Sequence, residues 1–155
     1  MKYKIPSEFK ITRLRECPGT TLADKPENCL AYWNQNITTA EWFDQDRECV
    51  VTLLANARLR VIGHHLISIG SLTECTIHPR EVLRPAIMHS AFATILMHNH
   101  PSGDPSPSAA DHRVTKRLRD ASQILQINLL DHVIAGSREP IDRVPYYSFC
   151  EAGIL

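Results

Sequence analysis

The chain has 155 residues, of which 43% are hydrophobic and 22% charged, and its net charge is zero. These values are those of an ordinary soluble globule that is long enough to bury a core, most simply as one domain. No apolar stretch approaches the length of a membrane span, and residues 1–10 lack a signal-peptide core. The zero net charge counts against a role on DNA, because proteins that bind DNA usually carry a basic excess.

Five cysteines lie scattered along the chain and form no C-x-x-C pair: Cys17, Cys29, Cys49, Cys75 and Cys150. An odd and scattered set argues for reduced thiols and against a thiolate metal site. We therefore expect a cytoplasmic protein.

Residues 1–45 are expected to form a helical lead-in of unknown role. Residues 5–14 alternate loosely between apolar and polar, as an edge strand does. Residues 24–36 begin with Asp24 three positions before Glu27, as a capping box does, and continue with apolar residues at helical spacing. This segment is expected to cover one edge of a sheet, with dimer contacts as the alternative.

Strands are predicted where apolar and β-branched residues cluster, at 48–55, 59–68, 73–77, 92–97, 128–135 and 146–150. The first two are separated by a short turn and are expected to form a hairpin. His64 and His65, in the second strand, point to opposite faces and cannot bind one metal ion together, so a surface pair is expected.

Two helices are predicted between these strands. The first, at residues 79–91, holds Pro85 in its interior and should kink there or start late. The second runs from Ser108 to about residue 126, with a buried stripe of Val114, Leu118, Ala121 and Leu125. A hairpin, a helix, a strand, a second helix and further strands fit a sheet with helices packed on it, an α/β (α+β) fold.

The most informative stretch is residues 92–111, in which an apolar run leads into two histidines. The change to polar residues at His98 predicts that the strand has ended there. Residues i and i+2 of an extended chain point the same way, so His98 and His100 can present both imidazoles to one point, while Asn99 faces the other way. A stiff loop of prolines and glycine then returns Asp111 toward them. Two histidines and a carboxylate are the ligands of an open zinc site.

Ser108 and Asp111 also have a simpler interpretation, as a capping box at the start of the second helix. A histidine at a strand end is likewise usually only a half-exposed side chain. The combination of paired histidines, a rigid turn and a carboxylate favours a metal site. The two interpretations are compatible, because capping would orient Asp111.

The spacing His98-x-His100, then ten residues, then Asp111, with Ser108 three positions before the aspartate, resembles the JAMM motif of the JAB/MPN metalloprotease family. The run HNHPSGDPSPS and a later DHVIAG resemble the RadC branch of that family. The resemblance begins at roughly residue 48 and implies a RadC-like JAB/MPN domain at residues 46–155. It also implies a mixed sheet flanked by helices, similar to that of the cytidine deaminases.

The resemblance implies a zinc-dependent hydrolase of peptide or isopeptide bonds, with three ligands to Zn²⁺: His98, His100 and Asp111. The general base of the family is an upstream glutamate, and Glu48 matches that position, with Glu74 and Glu81 as competitors. Ser108 is the implied donor of a hydrogen bond to the developing oxyanion.

Two other functions remain open. The RadC branch carries a DNA-repair name, so a factor that binds DNA or a repair protein is the main alternative, although the net charge does not support it. An interaction module without a metal is the other, and the intact ligand positions count against it. The substrate is expected to be a protein or peptide of unknown identity. The oligomeric state is open, with a homodimer as one option.

Asp131 and His132 form a second acidic and imidazole pair, in the predicted strand at 128–135. Neighbouring strand residues face opposite sides, so at most one of the two looks into the site. A core hydrogen bond is the simpler explanation for either residue. A contact to a metal-binding histidine is the alternative, since such histidines need partners of this kind.

Overall fold

The computed structural model describes residues 12–17, 21–70, 77–136 and 145–155. The elements in these ranges are α1 (Pro26–Tyr32), β1 (Cys49–Ala55), β2 (Val61–Ile69), α2 (Pro79–Met88), β3 (Ala93–Asn99), α3 (Ala109–Leu125), β4 (Asn128–Ala135) and β5 (Tyr146–Ser148). A π-helical turn, Trp33–Ile37, continues α1. No helix in the described ranges is both long and apolar enough to span a bilayer.

The five strands form one mixed sheet in the order β2-β1-β3-β4-β5. β1 is antiparallel to both β2 and β3, β3 is parallel to β4, and β4 is antiparallel to β5. The carboxyl ends of β3 and β4 therefore lie at the same edge as the amino end of β1. This arrangement confirms the predicted mixed α/β fold.

The helices cover the sheet on both faces. On one face, Trp33 of the π-helical turn shares a hydrophobic cluster with Met97 of β3. On the other, Leu118 of α3 shares a cluster with Leu96 of β3. All four side chains are almost completely buried, and each such burial contributes about 1.5–3 kcal/mol. The lead-in helix thus shares a core with the strands, and the domain boundary expected near residue 45 stays a prediction.

The predicted start of α1 is wrong. The N-cap residue is Lys25, whose side chain makes no capping bond, and Pro26 occupies the first turn. Proline suits that position because it has no N–H to be capped and its φ angle is already helical. Asp24 instead accepts a hydrogen bond from the Asn28 side chain at 2.7 Å, and Glu27 accepts one from the Tyr146 hydroxyl at 2.9 Å.

The predicted limits of the other two helices need smaller corrections. α2 begins at Pro79 and therefore does not start late, and Pro85 lies buried within it. It ends at Met88 rather than at residue 91, since Ser90 adopts a left-handed conformation with φ 52°. In α3, Leu118 is buried as predicted but Leu125 is 46% exposed. The buried face of α3 holds polar residues instead: Asp111, Thr115 and Ser122.

The predicted strands differ from the observed ones in three places. β3 continues through Asn99, so the prediction that it ends before His98 is wrong: His98 pairs with Val50 on one side and Ile134 on the other. The strand predicted at 73–77 lies outside the described residues except for Ile77, which has no regular structure. Of the strand predicted at 5–14, only 12–14 are described, and they are also irregular.

Candidate metal centre

The end of β3 brings the two motif histidines together. His98 is completely buried because strands flank it on both sides, and His100 follows on the same face of the extended chain. Their Nε2 atoms lie 3.1 Å apart. The loop after the strand orients the second ring, since Nδ1 of His100 lies 2.8 Å from the carbonyl oxygen of Asp104. The predicted convergence of the two imidazoles is therefore observed.

The start of α3 places Asp111 against both rings. Its Oδ1 lies 3.2 Å from Nε2 of His98, and its Oδ2 lies 3.5 Å from Nε2 of His100. Ser108 is the N-cap, and the two residues form a complete capping box. The backbone N–H and the hydroxyl of Ser108 each donate to Asp111 Oδ2 at 2.7 Å. Capping thus orients the carboxylate, and the oxyanion role of Ser108 stays a prediction.

Glu48 completes the group from the neighbouring strand. It stands directly before β1, whose amino end lies beside the carboxyl end of β3. Its Oε1 is 3.5 Å from Nε2 of His98, and the residue is only 9% exposed. Ligand atoms of Glu48, His98, His100 and Asp111 all lie within 4.8 Å of one another, so the group could hold a metal ion.

Asn99, between the two histidines, points to the other face and fixes the backbone around Glu48. Its Oδ1 accepts a hydrogen bond from the N–H of Cys49, and its Nδ2 donates to the carbonyl of Arg47, both at 3.0 Å. The buried side-chain amide of Asn99 is thereby bonded to the backbone of both residues that flank Glu48.

Of the two other glutamates considered as general base, Glu81 does not belong to this group. Glu81 lies in the first turn of α2 and pairs with Arg80 at 3.3 Å on the surface. Glu74 lies outside the described residues.

The spacing of the donor atoms suits a tetrahedral ion. Two ligands of zinc with bonds of about 2.0–2.1 Å lie about 3.3 Å apart at the tetrahedral angle. The distance of 3.1 Å between the two Nε2 atoms and that of 3.2 Å between His98 Nε2 and Asp111 Oδ1 are close to that value. Oδ1 of Asp111 is also buried and accepts no hydrogen bond from the described residues. A buried carboxylate oxygen without a donor fits a bound cation.

The charges of the group favour the ionised carboxylate. Burial acts to raise the pKa of Asp111, but its contacts with His100, His98 and Ser108 outweigh it and hold that pKa far below its ordinary value. The same contact with Asp111 raises the pKa of His100, against the effect of burial. Since cation binding requires a deprotonated carboxylate, Asp111 is prepared for it at neutral pH.

Two residues behind the group were not among the predicted site residues. Nε2 of His132, in β4, lies 3.0 Å from Nδ1 of His98, and Nδ1 of His132 lies 2.6 Å from the hydroxyl of Thr115 in α3. Burial, and then the neighbouring His98, lower the pKa of His132 well below its ordinary value, which keeps it neutral. Strand alternation indicated that His132 and Asp131 face opposite sides, but no feature of the sequence singled out Thr115.

Asp131 faces away from this group and forms hydrogen bonds with residues near the C-terminus. Its carboxylate accepts hydrogen bonds from the Ser148 hydroxyl and from the N–H groups of Cys150 and His132. The simpler explanation, a satisfied core hydrogen bond, is therefore the observed one for Asp131.

A mixed sheet between helices, with a histidine and carboxylate group at the end of its central strand, defines a domain of the JAB/MPN class. The family model described as "RadC-like JAB domain" matches residues 23–154, and the chain belongs to that family.

Two relatives are similar to this chain over most of its length. A "UPF0758 protein" of Trichlorobacter lovleyi is 46% identical over 112 residues, which are 72% of this chain and 46% of that protein. A "UPF0758 protein" of Pelobacter propionicus is 45% identical over 153 residues, 99% of this chain and 61% of that protein. The chain thus spans about half the length of the curated relatives that it matches.

Proposed function

We propose that this protein is a zinc-dependent hydrolase of peptide or isopeptide bonds, with His98, His100 and Asp111 as the ligands of the ion. The observation that supports this most strongly is the convergence of two imidazoles and an ionised, buried carboxylate, whose ring nitrogens and oxygens lie 3.1–3.5 Å apart. Two nitrogens and one oxygen are a donor set that zinc takes in catalytic sites, where a fourth position stays open.

Held by His98, His100 and Asp111, a zinc ion would supply Lewis acidity that lowers the pKa of water from about 16 toward about 7 and polarises a substrate carbonyl. Glu48 is the proposed general base. Its carboxylate lies beside the group, within 3.5 Å of a ligand nitrogen, so it can take a proton at Oε1 and deliver it to the leaving amine. Its low exposure limits competition from bulk water for that proton.

Ser108 is the proposed donor to the oxyanion that develops on the substrate carbonyl. Its hydroxyl now donates to Asp111, and a small rotation about the side-chain bond redirects it. The backbone N–H of Ser108 keeps its own bond to Asp111 during that rotation, so the carboxylate stays oriented. Loss of one such donor typically slows a reaction about 100-fold or more.

The first test is the metal content of the purified protein. We expect about one zinc ion per chain by mass spectrometry of the dissolved metal, and loss of that zinc in His100→Ala, because a ligand is removed. His65→Ala changes an exposed histidine of β2 and should keep the zinc. A zinc-free protein after purification and dialysis in zinc would contradict the proposal.

The second test separates metal binding from catalysis. A library of peptides and isopeptide-linked peptides is incubated with the protein and with Glu48→Gln. The variant should keep its zinc and lose hydrolysis, because glutamine cannot accept the proton. Glu81→Gln is the matched control on the surface of α2 and should hydrolyse normally. Equal activity of Glu48→Gln and the unsubstituted protein would exclude Glu48 as the base.

We propose a protein or peptide as the substrate, and DNA or a repair protein as the alternative partner. Arg119 of α3 makes a hydrogen bond within the protein, since its side chain donates to the carbonyl of Ile154 at 3.0 Å. Binding to DNA that falls steeply as salt rises, without peptide hydrolysis, would favour the alternative. We also propose a cytoplasmic location, because the four cysteines in the described part of the chain are free thiols.

A further inference from the structure

A continuous chain of hydrogen bonds lies behind the candidate metal centre and joins two of its proposed ligands. It runs from Nδ1 of His98 to Nε2 of His132 at 3.0 Å, and from Nδ1 of His132 to the Thr115 hydroxyl at 2.6 Å. The Thr115 hydroxyl then donates to the backbone carbonyl of Asp111 at 2.7 Å. All four residues are at most 1% exposed, so water does not compete for these bonds.

The donor and the acceptor of each hydrogen bond in this series are determined by the carbonyl group at its end. The carbonyl of Asp111 can only accept, so the Thr115 hydroxyl donates its single proton there. That hydroxyl must then accept from Nδ1–H of His132. A neutral imidazole has one N–H, so Nε2 of His132 carries no proton and needs a donor.

The donor available to His132 is Nδ1–H of His98. With its proton on Nδ1, neutral His98 has a free lone pair on Nε2, which is the nitrogen that faces His100, Asp111 and Glu48. We propose that His132 and Thr115 are positioning residues that fix the tautomer and ring plane of His98, so that its Nε2 is ready for the ion. The inference rests on the proposed role of His98 as a ligand.

The surroundings of His132 prevent its ring from turning over. The ring of Phe149 stacks on it with centroids 4.7 Å apart and planes 6° apart. The backbone N–H of Phe149 also donates to the carbonyl of His132 at 3.1 Å. Asp131 holds both neighbours of Phe149, through the Ser148 hydroxyl and the N–H of Cys150. Asp131 and His132 thus have complementary roles. Asp131 holds the segment that contains Phe149, and His132 contacts the metal site.

The test removes the acceptor of the bond from Nδ1–H of His132 with little change in the shape of the side chain. Thr115→Val has nearly the same volume but leaves Nδ1–H of His132 without a partner. The affinity for Zn²⁺, measured by competition with a chromophoric chelator, should fall about 10- to 100-fold, as for other outer partners of metal-binding histidines. Thr115→Ser keeps the hydroxyl and should bind zinc nearly as tightly as the unsubstituted protein.

Thr94→Val is the matched control. Thr94 is completely buried in β3, but its hydroxyl makes no hydrogen bond with the described residues. The same change of hydroxyl to methyl should therefore leave the zinc affinity unchanged. Equal zinc affinity of Thr115→Val and the unsubstituted protein would overturn the inference while leaving the metal site itself in place.

A second measurement needs no variant. Long-range ¹H–¹⁵N spectra distinguish the two neutral tautomers of histidine, and His132 should carry its proton on Nδ1 with and without zinc. A proton on Nε2 of His132 would overturn the inference. An unsubstituted protein that binds no zinc would instead contradict the proposed function. The tautomer measurement therefore separates failure of the inference from failure of the proposal on which it rests.

Discussion

The histidine pair in β2 and the histidine pair at the end of β3 show what turns imidazoles into a metal centre. His64 and His65 are neighbours in sequence and therefore face opposite sides of the sheet, so that His65 is exposed while His64 is partly buried. His98 and His100 are separated by one residue, face the same side and bring their Nε2 atoms within 3.1 Å. One residue of spacing decides whether two rings can meet.

The surroundings of the two pairs differ as much as the spacing. Nδ1 of His64 lies 2.9 Å from the Tyr32 hydroxyl, and burial, followed by the charges of Arg15 and His65, lowers its pKa to about 4. His100 is next to a carboxylate, and its pKa is raised instead. A partly buried histidine without an acid beside it, such as His64, stays neutral, whereas a carboxylate between two rings creates a site for a cation.

The largest expected effect is therefore that of removing the acid from the β3 group. Asp111→Asn keeps the shape and removes the charge of the carboxylate that contacts both rings. We expect the zinc affinity to fall more than about 100-fold, beyond the loss caused by an outer partner. The pKa of His100 in the metal-free protein should fall toward its ordinary value, because its main cause of elevation is lost. Chelator competition and an NMR titration measure the two effects.

Asp120→Asn is the control for that change, since Asp120 is exposed on the same helix. It should leave both the zinc affinity and the titration of His100 as they are. If Asp111→Asn binds zinc as tightly as the unsubstituted protein, the four-residue group is not the metal centre.

An intermediate effect is expected from substitution of Asn99, whose side chain bonds the backbone on both sides of Glu48. Asn99→Leu leaves the buried N–H of Cys49 without an acceptor, which should lower the free energy of unfolding by about 1–3 kcal/mol. It also frees the backbone on both sides of Glu48, so hydrolysis should fall while zinc is retained. Urea unfolding, zinc analysis and a hydrolysis assay separate the three consequences.

Asn99→Asp distinguishes the two bonds of this amide. The carboxylate still accepts from Cys49 but cannot donate to the carbonyl of Arg47. At neutral pH we expect at least as large a loss of stability as for Asn99→Leu, because a carboxylate oxygen would be buried against that carbonyl oxygen. Full hydrolytic activity of Asn99→Leu would show that Glu48 needs no support from this residue.

The sequence predicted the part of the site that depends on local geometry. The alternation of a strand places His98 and His100 together, and the capping pattern of Ser108 and Asp111 orients the carboxylate, as observed. The order of elements likewise predicted a sheet with helices packed on it, whereas the mixed strand directions were implied by the family resemblance. These features depend on neighbours within a few residues, which a pattern can represent.

The features that were missed depend on which strands lie side by side. His98 is polar, so the strand was predicted to end before it, but the flanking strands bury it completely. Thr115 and Ser122 lie on the buried face of α3, where hydrophobic periodicity predicts apolar residues. Whether His132 or Asp131 faces the site depends on the register of β4 against β3, and that register is a property of the folded sheet.

The smallest expected effect concerns the other pair and acts through pH. Because His64 has a lowered pKa in the folded protein, the unfolded chain binds a proton more readily. Its contribution to stability is therefore complete above about pH 6.5 and is lost as the pH falls toward about 4. His64→Leu should flatten the decline of the unfolding free energy between pH 7 and pH 5, measured in urea with a chelator present. His78→Leu, at an exposed histidine, should retain the decline of the unsubstituted protein. An unchanged decline in His64→Leu would mean that folding does not lower the pKa of His64, and the contrast between the two pairs would then lie in spacing alone.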